Sequence, residues 1–185
     1  PSAPKAAQRL LPYLGTYGSE DTGGKEFKVV EKNGKLAIEF PGQVLLFGDP
    51  DANGMWPCQL SAKLHVSFDM AEDGKALALR IFERQRMPRK DIVQQIPDDT
   101  PDAYRALLGT YTLPGANLTF DIAYQDGELR LLEPRGGAHP LHFSEQGGYW
   151  QNDGDSRRVT FETGDAGIVQ ALNGTFITRL ERKEP

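Results

Sequence analysis

The chain has a single cysteine, Cys58, in 185 residues, so it can form neither an intrachain disulfide nor a cysteine metal cluster. One cysteine does not locate the protein, because reduced cytosol and a bacterial periplasm both permit it. No apolar run approaches the ~20 residues a membrane-spanning helix requires. Basic residues never gather into a stripe. Residues 1–97 carry 13 basic and 12 acidic side chains, whereas residues 98–185 carry 8 and 14. An acidic second half without clustered Lys and Arg is a poor surface for phosphates, so nucleic acid is not an expected partner. The one basic group, Arg80, Arg84, Arg86, Arg89 and Lys90, reads as a solvated strand end and linker. No Gly-x-Ser-x-Gly elbow, phosphate-cradling glycine loop or His-Glu-x-x-His occurs. Nothing in the chain announces catalysis.

What the chain does have is repetition. Leu14-Gly15-Thr16-Tyr17 returns as Leu108-Gly109-Thr110-Tyr111, and the match continues at an offset of 93 or 94. Phe27 and Val29 fall on Phe120 and Ile122, and Asn33-Gly34 on Asp126-Gly127. Leu36 and Ile38 fall on Leu129 and Leu131, Pro41 on Pro134, and Trp56 on Trp150. Val66 and Phe68 then fall on Val159 and Phe161, Gly74 on Gly167, Leu79 on Leu172. A fixed period decides architecture before any local reading does. It divides the chain into two copies of roughly 90 residues, near the size at which one core becomes self-sufficient.

Within each copy the chemistry is that of strands. Phe27 to Lys32 and Lys35 to Phe40 alternate apolar and polar side chains across Asn33-Gly34, the strongest short hairpin signal. Asp126-Gly127 repeats it between Leu118–Tyr124 and Leu129–Leu131. Further strands are expected at Val44–Phe47, Lys63–Phe68 and Lys75–Arg84. Their partners in the second copy are Leu141–Phe143, Arg157–Phe161, Ile168–Leu172 and Thr175–Leu180. Short strands with glycine-rich turns imply an antiparallel sandwich or barrel. Ala6–Leu11 could form one helical turn, and Met87 to Asp102, with three prolines, reads as a connector with a short turn at Ile92–Gln95. The opening Pro1-Ser2-Ala3-Pro4 reads as linker, which makes the chain a piece of something longer.

Most chemically suggestive residues have structural readings. His139 and His142, near Glu145, sit three apart on an extended chain and point to opposite faces, so a metal site is not expected. His65, between Leu64 and Val66, is expected to face solvent. Asp49 with Asp51, and Asp153 with Asp155, lie in loops where aspartate favours turns. Tyr17 and Tyr111 suit a barrel entry, with the ring packed and the hydroxyl bonded. Trp56 and Trp150 differ, because each sits in the most irregular stretch of its copy. Large aromatics near a barrel mouth can stack on a ligand or partner. These two are the candidate contact residues, with at least one expected at a rim; the competing reading makes each a plug in its core.

The pattern Gly-Thr-Tyr, Asn/Asp-Gly, Pro, Val-x-Phe, Gly and a closing Arg resembles the lipocalin-like domain that follows the catalytic domain in many bacterial serine hydrolases of the β-lactamase and penicillin-binding-protein type. The second copy carries it as Gly109-Thr110-Tyr111, Asp126-Gly127, Pro134, Val159-Thr160-Phe161, Gly167 and Arg179. The first carries it as Gly15-Thr16-Tyr17, Asn33-Gly34, Pro41, Val66-Ser67-Phe68, Gly74 and Arg84 or Arg86. The resemblance implies small barrels attached to an exported hydrolase, periplasmic or secreted, with no catalytic residue of their own. The expected fold is therefore all-β, with two repeated antiparallel lipocalin-like small barrel units. The alternative is one larger pseudo-symmetric barrel or sandwich shared by both copies. Residues 1–9 are assigned as linker, 10–90 as the first repeat, 91–103 as connector and 104–185 as the second repeat. The expected role is a non-catalytic accessory pair that binds or regulates, with no cofactor or metal. A small apolar ligand and a hydrolase domain of the same parent chain are the expected partners. A purely structural or oligomerisation module is the alternative, and an enzyme with an unrecognised site a third.

Overall fold

The computed structural model describes residues 8–20, 23–92, 95–146, 148–152 and 156–184. The chain is mostly antiparallel β-structure. The first copy supplies β1 (Gly15–Gly18), β2 (Glu26–Lys32), β3 (Lys35–Phe40), β4 (Gln43–Phe47), β5 (Trp56–Pro57), β6 (Leu64–Met70) and β7 (Ala76–Ile92). The second supplies β8 (Gly109–Leu113), β9 (Leu118–Gln125), β10 (Glu128–Leu132), β11 (Ala138–Pro140), β12 (His142–Ser144), β13 (Tyr149–Gln151), β14 (Arg157–Thr163) and β15 (Val169–Lys183). Both expected hairpins form. Asn33 and Gly34 have φ of 54° and 78°, Asp126 and Gly127 of 53° and 78°, which is the left-handed pair that a two-residue I′ turn needs.

The repeat is also a repeat of register. Tyr17 lies opposite Phe27 as Tyr111 lies opposite Phe120. Val29 faces Ile38 as Ile122 faces Leu131, and Trp56 faces Val66 as Trp150 faces Val159. Two details differ from the sequence reading. The strand expected to stop at Arg84 continues to Ile92, because Met87 is fully buried in a core and holds the chain extended through Pro88. Likewise Ile168–Leu172 and Thr175–Leu180 are one strand, β15, with Gly174 extended inside it. Gln8–Leu10 is helical, but residues 1–7, most of the assigned linker, lie outside the described residues. Of the expected turn at Ile92–Gln95, Ile92 closes β7 and residues 93 and 94 are not described; the short helix there is Asp102–Arg105.

The chain forms two compact units. Unit 1 is Pro1–Glu83 with Ile177–Pro185, and unit 2 is Arg84–Phe176. In unit 1, β1 pairs with β2 on one side and with the last part of β15 on the other, Tyr17 opposite Arg182. The series continues through β3 to β4, while β5, β6 and the first part of β7 pair in turn. A single bridge, Phe47 to Cys58, with Gly48 N donating to Pro57 O at 2.8 Å and Gln59 N to Leu46 O at 2.9 Å, draws β4 to the segment at β5. The core within holds Leu10, Tyr17, Val29, Leu36, Ile38, Phe47, Trp56, Val66, Leu79 and Leu180.

In unit 2, β8 pairs with β9 and with the last part of β7, Tyr111 opposite Arg89. From β9 the series runs through β10 to β11. On the other side β12, β13, β14 and the first part of β15 pair in order. Leu141 alone joins β11 to β12, and its N–H donates to Leu129 O at 2.7 Å. Met87, Leu108, Tyr111, Ile122, Leu129, Leu131, Leu141, Val159 and Leu172 make this core. The unit boundaries, after Glu83 and after Phe176, fall at the repeat offset from each other. Each unit is thus one copy without its last strand segment, completed by the last segment of the other.

Candidate functional site

One constellation occurs in both units. The Tyr17 hydroxyl donates to Tyr13 O, and the Tyr111 hydroxyl to Leu107 O, each at 2.7 Å. Both rings are fully buried. Arg182 donates to the carbonyls of Pro12 (3.3 Å), Ala76 (3.2 Å) and Leu14. Arg89 donates to Val169 O (3.1 Å) and Leu108 O, with its guanidinium 5.8 Å from the Tyr111 ring centre. A Cβ on Gly15 would stand 3.1 Å from Arg182 Nε, and one on Gly109 2.8 Å from Arg89 Nε. Glycine there lets the arginine lie against the strand. The arginines in this place are Arg182 and Arg89, which the sequence reading did not single out for it. Arg179 instead pairs with Asp69 at 3.1 Å and Arg86 with Glu162 at 2.9 Å. Burial pushes the Tyr111 hydroxyl up to about 12 despite the Arg89 charge, and burial raises Tyr17 likewise. Present in duplicate and tied to backbone carbonyls, this constellation is architecture, with Arg89 Nε buried and without a hydrogen-bond partner among the described residues.

The two tryptophans have different surroundings. Trp56 is 4% exposed and packs edge-on to Tyr13 (5.1 Å) and Phe68 (6.3 Å). Trp150 is half-buried, 5.3 Å from both Tyr104 and Phe143, and Phe143 is 53% exposed. Of the two, Trp150 is the partly exposed one.

Unit 2 holds a polar cluster where unit 1 is apolar. Phe40, Leu45 and Leu64 pack on the unit 1 core. Their counterparts by offset and register are Glu133, His139 and Arg157: Ile38 faces Leu45 as Leu131 faces His139. Directly opposed residues share a face of the sheet, and Leu131 is core, so His139 lies on the inward side. Arg157 stands opposite Phe176, its guanidinium 4.8 Å from that ring's centre, and Phe176 packs on the core. Arg157 Nη2 donates to Glu133 Oε1 at 2.8 Å, and Nη1 to Ser156 O at 3.1 Å. His139 Nε2 lies 3.0 Å from the same Glu133 oxygen, within ion-pair reach but off the hydrogen-bond direction. Both that nitrogen and Arg157 Nε are buried without a hydrogen-bond partner among the described residues. Burial alone would raise the Glu133 carboxyl, but the Arg157 hydrogen bond and charge, with His139 beside them, hold it below the usual range.

Neighbouring groups shape the cluster's setting. Asn152, buried, accepts from Ser156 N (3.0 Å) and Arg157 N (2.9 Å) through Oδ1. A Cβ on Gly137 would come within 2.9 Å of Glu133 Oε2, so the glycine keeps room for the carboxylate. Trp150, opposite Val159, shares the face of Arg157 two residues along β14, a diagonal separation of roughly 7–8 Å. The sequence reading weighed His139 only as a metal ligand with His142 and Glu145. In the fold His139 meets Glu133, which Arg157 also binds, while His142 and Glu145 are exposed on β12 and after it. No group of three or more His, Cys, Asp or Glu able to hold a metal occurs among the described residues. His65 is half-buried, and Asp51 Oδ1 accepts from Asn53 N and Met55 N as a turn residue does; Asp153 and Asp155 lie outside the described residues. Sequence reasoning missed Glu133 and Arg157. The signal was available, since laying one copy on the other exposes three inward positions that change from apolar to polar together.

No helix among the described residues is long and apolar enough to cross a membrane. No protein-family model, curated protein or solved structure matches the chain.

Proposed function

We propose that this chain is a non-catalytic accessory pair of small lipocalin-like β-barrels, one of which has become a ligand-binding unit. The single observation that carries the reading is the substitution of Phe40, Leu45 and Leu64 in unit 1 by Glu133, His139 and Arg157 in unit 2. A half-buried polar cluster on an inward face costs part of its desolvation, and replacing ion pairs taken out of water by apolar residues is often neutral or stabilising. Unit 1 demonstrates that the apolar solution exists for this architecture. Three polar side chains kept together at positions that unit 1 fills with apolar ones, with Arg157 Nε left without a partner, support a ligand that supplies acceptors. The barrel reading is supported by the Phe47–Cys58 bridge in unit 1 and by the single-residue link from β11 to β12 in unit 2, which bring the ends of each strand series together.

The ligand class that fits is a small molecule with an apolar body and an acceptor group, its body against Phe120, Phe176 and Trp150. The pair serves a hydrolase domain of the same parent chain in an exported protein, in line with the family the motifs resemble. The test uses the aromatic anion 8-anilinonaphthalene sulfonate, titrated against the full chain with Trp150 emission as readout. Glu133→Phe, His139→Leu and Arg157→Leu together convert the site to its unit 1 form. Saturable binding that disappears in the triple variant, with stability equal to or above the parent, is the expected result. Binding of equal strength in the triple variant, or none in the parent, would overturn the assignment.

A further inference from the structure

We infer that the repeat of this chain is a strand-exchanging block that cannot complete its core alone, and whose obligate partner is a second copy of the same block. The observation is the composition of the units. Unit 1 takes Leu180, fully buried, and Arg182 from the second copy; unit 2 takes Met87, also fully buried, and Arg89 from the first. The donated segments are equivalent: Met87, Arg89 and Arg86 match Leu180, Arg182 and Arg179 at one offset. Even the outer ion pairs are exchanged in parallel, Arg86 to Glu162 in unit 2 and Arg179 to Asp69 in unit 1. Each copy therefore gives away a segment of the kind it receives.

The cause lies in the sequence at the two crossing points. Folding the last segment back onto its own β1 or β8 would require a sharp bend near Glu83 or Phe176. Phe82–Met87 contains no Gly, Pro, Asn or Asp, the residues that make bends inexpensive, and Asn173-Gly174, which precedes Thr175–Leu180, lies extended within β15 rather than turning. Ile177 and Thr178 are β-branched and favour extension. The strand therefore runs straight on and leaves its own copy with an unfilled place beside β1 or β8. Any segment bearing the buried apolar residue and, two positions later, the arginine can fill that place, so an identical second copy suffices as partner.

The test begins with the full chain carrying a specific protease site inserted at the exposed Gln95. After complete cleavage the two halves are expected to co-elute at the mass of the uncut chain. Each half is then separated in denaturant and refolded alone. A homodimer, or an unfolded chain that folds when the other half is added, supports exchange. A folded monomer from either half, or release of folded single halves on cleavage, overturns it.

Discussion

Individual side chains in the two copies have the same neighbours until burial or charge separates them. Trp56 and Trp150 share a register, yet Trp56 is enclosed by Tyr13 and Phe68 whereas Trp150 keeps part of its indole open beside Phe143. Truncating a fully packed tryptophan removes a large apolar contact and leaves a cavity. Trp56→Ala is expected to cost ~3–5 kcal/mol by urea unfolding, and Trp150→Ala distinctly less; the reverse order would contradict these environments. Tyr111 provides a second residue-scale test. Its hydroxyl is raised to about 12 from an ordinary 10.0 by burial, so the unfolded chain ionises first as pH rises. The stability tied to the neutral phenol is complete below about pH 10 and is lost by about pH 12, at ~1.4 kcal/mol per pH unit for one proton. Tyr111→Phe should remove its share of this alkaline loss, measured as urea midpoints across that window. An unchanged pH profile would show that the phenol does not control it.

Strands and turns were the most legible level. Asn33-Gly34 and Asp126-Gly127 required positive φ and have it, and a largely alternating pattern placed Val29, Leu36, Ile38 and their counterparts inward. The ends of β7 and β15 were not legible, because Pro88 and Gly174 look like interruptions when long-range burial of Met87 and Leu172 is unknown. The polar cluster was hidden for a similar reason: Glu133 and Arg157 lie 24 residues apart and neither stands in a motif. Their meaning emerges only where a register sets one copy on the other. The close approach of β8 to the last part of β7 makes an element-scale prediction. A Cβ on Gly109 would stand 2.7 Å from Asp91 O as well as against Arg89, and backbone cannot swing aside as a side-chain tip can. Gly109→Ala should therefore cost on the order of 1–3 kcal/mol, read as a lower urea midpoint. A neutral result would mean that β7 and β8 are not held at this spacing.

For the chain as a whole, duplication has two consequences that pull apart. Exchange of the last strand segments binds the copies to a common architecture, since each core is finished by the other's Leu180 or Met87. Divergence at Phe40, Leu45 and Leu64 leaves one unit apolar and gives the other an inward Glu133–His139–Arg157 cluster. Amide exchange in the folded state resolves which elements a local change loosens, so the most direct measurement is hydrogen exchange by mass spectrometry on Arg182→Ala. Loss of this side chain from the second copy should accelerate exchange in β1 and β2 of the first, residues 15–18 and 26–32, while residues 109–125 keep the parent rates. Acceleration confined to residues 109–125, with β1 and β2 unchanged, would contradict the exchange of strands between copies.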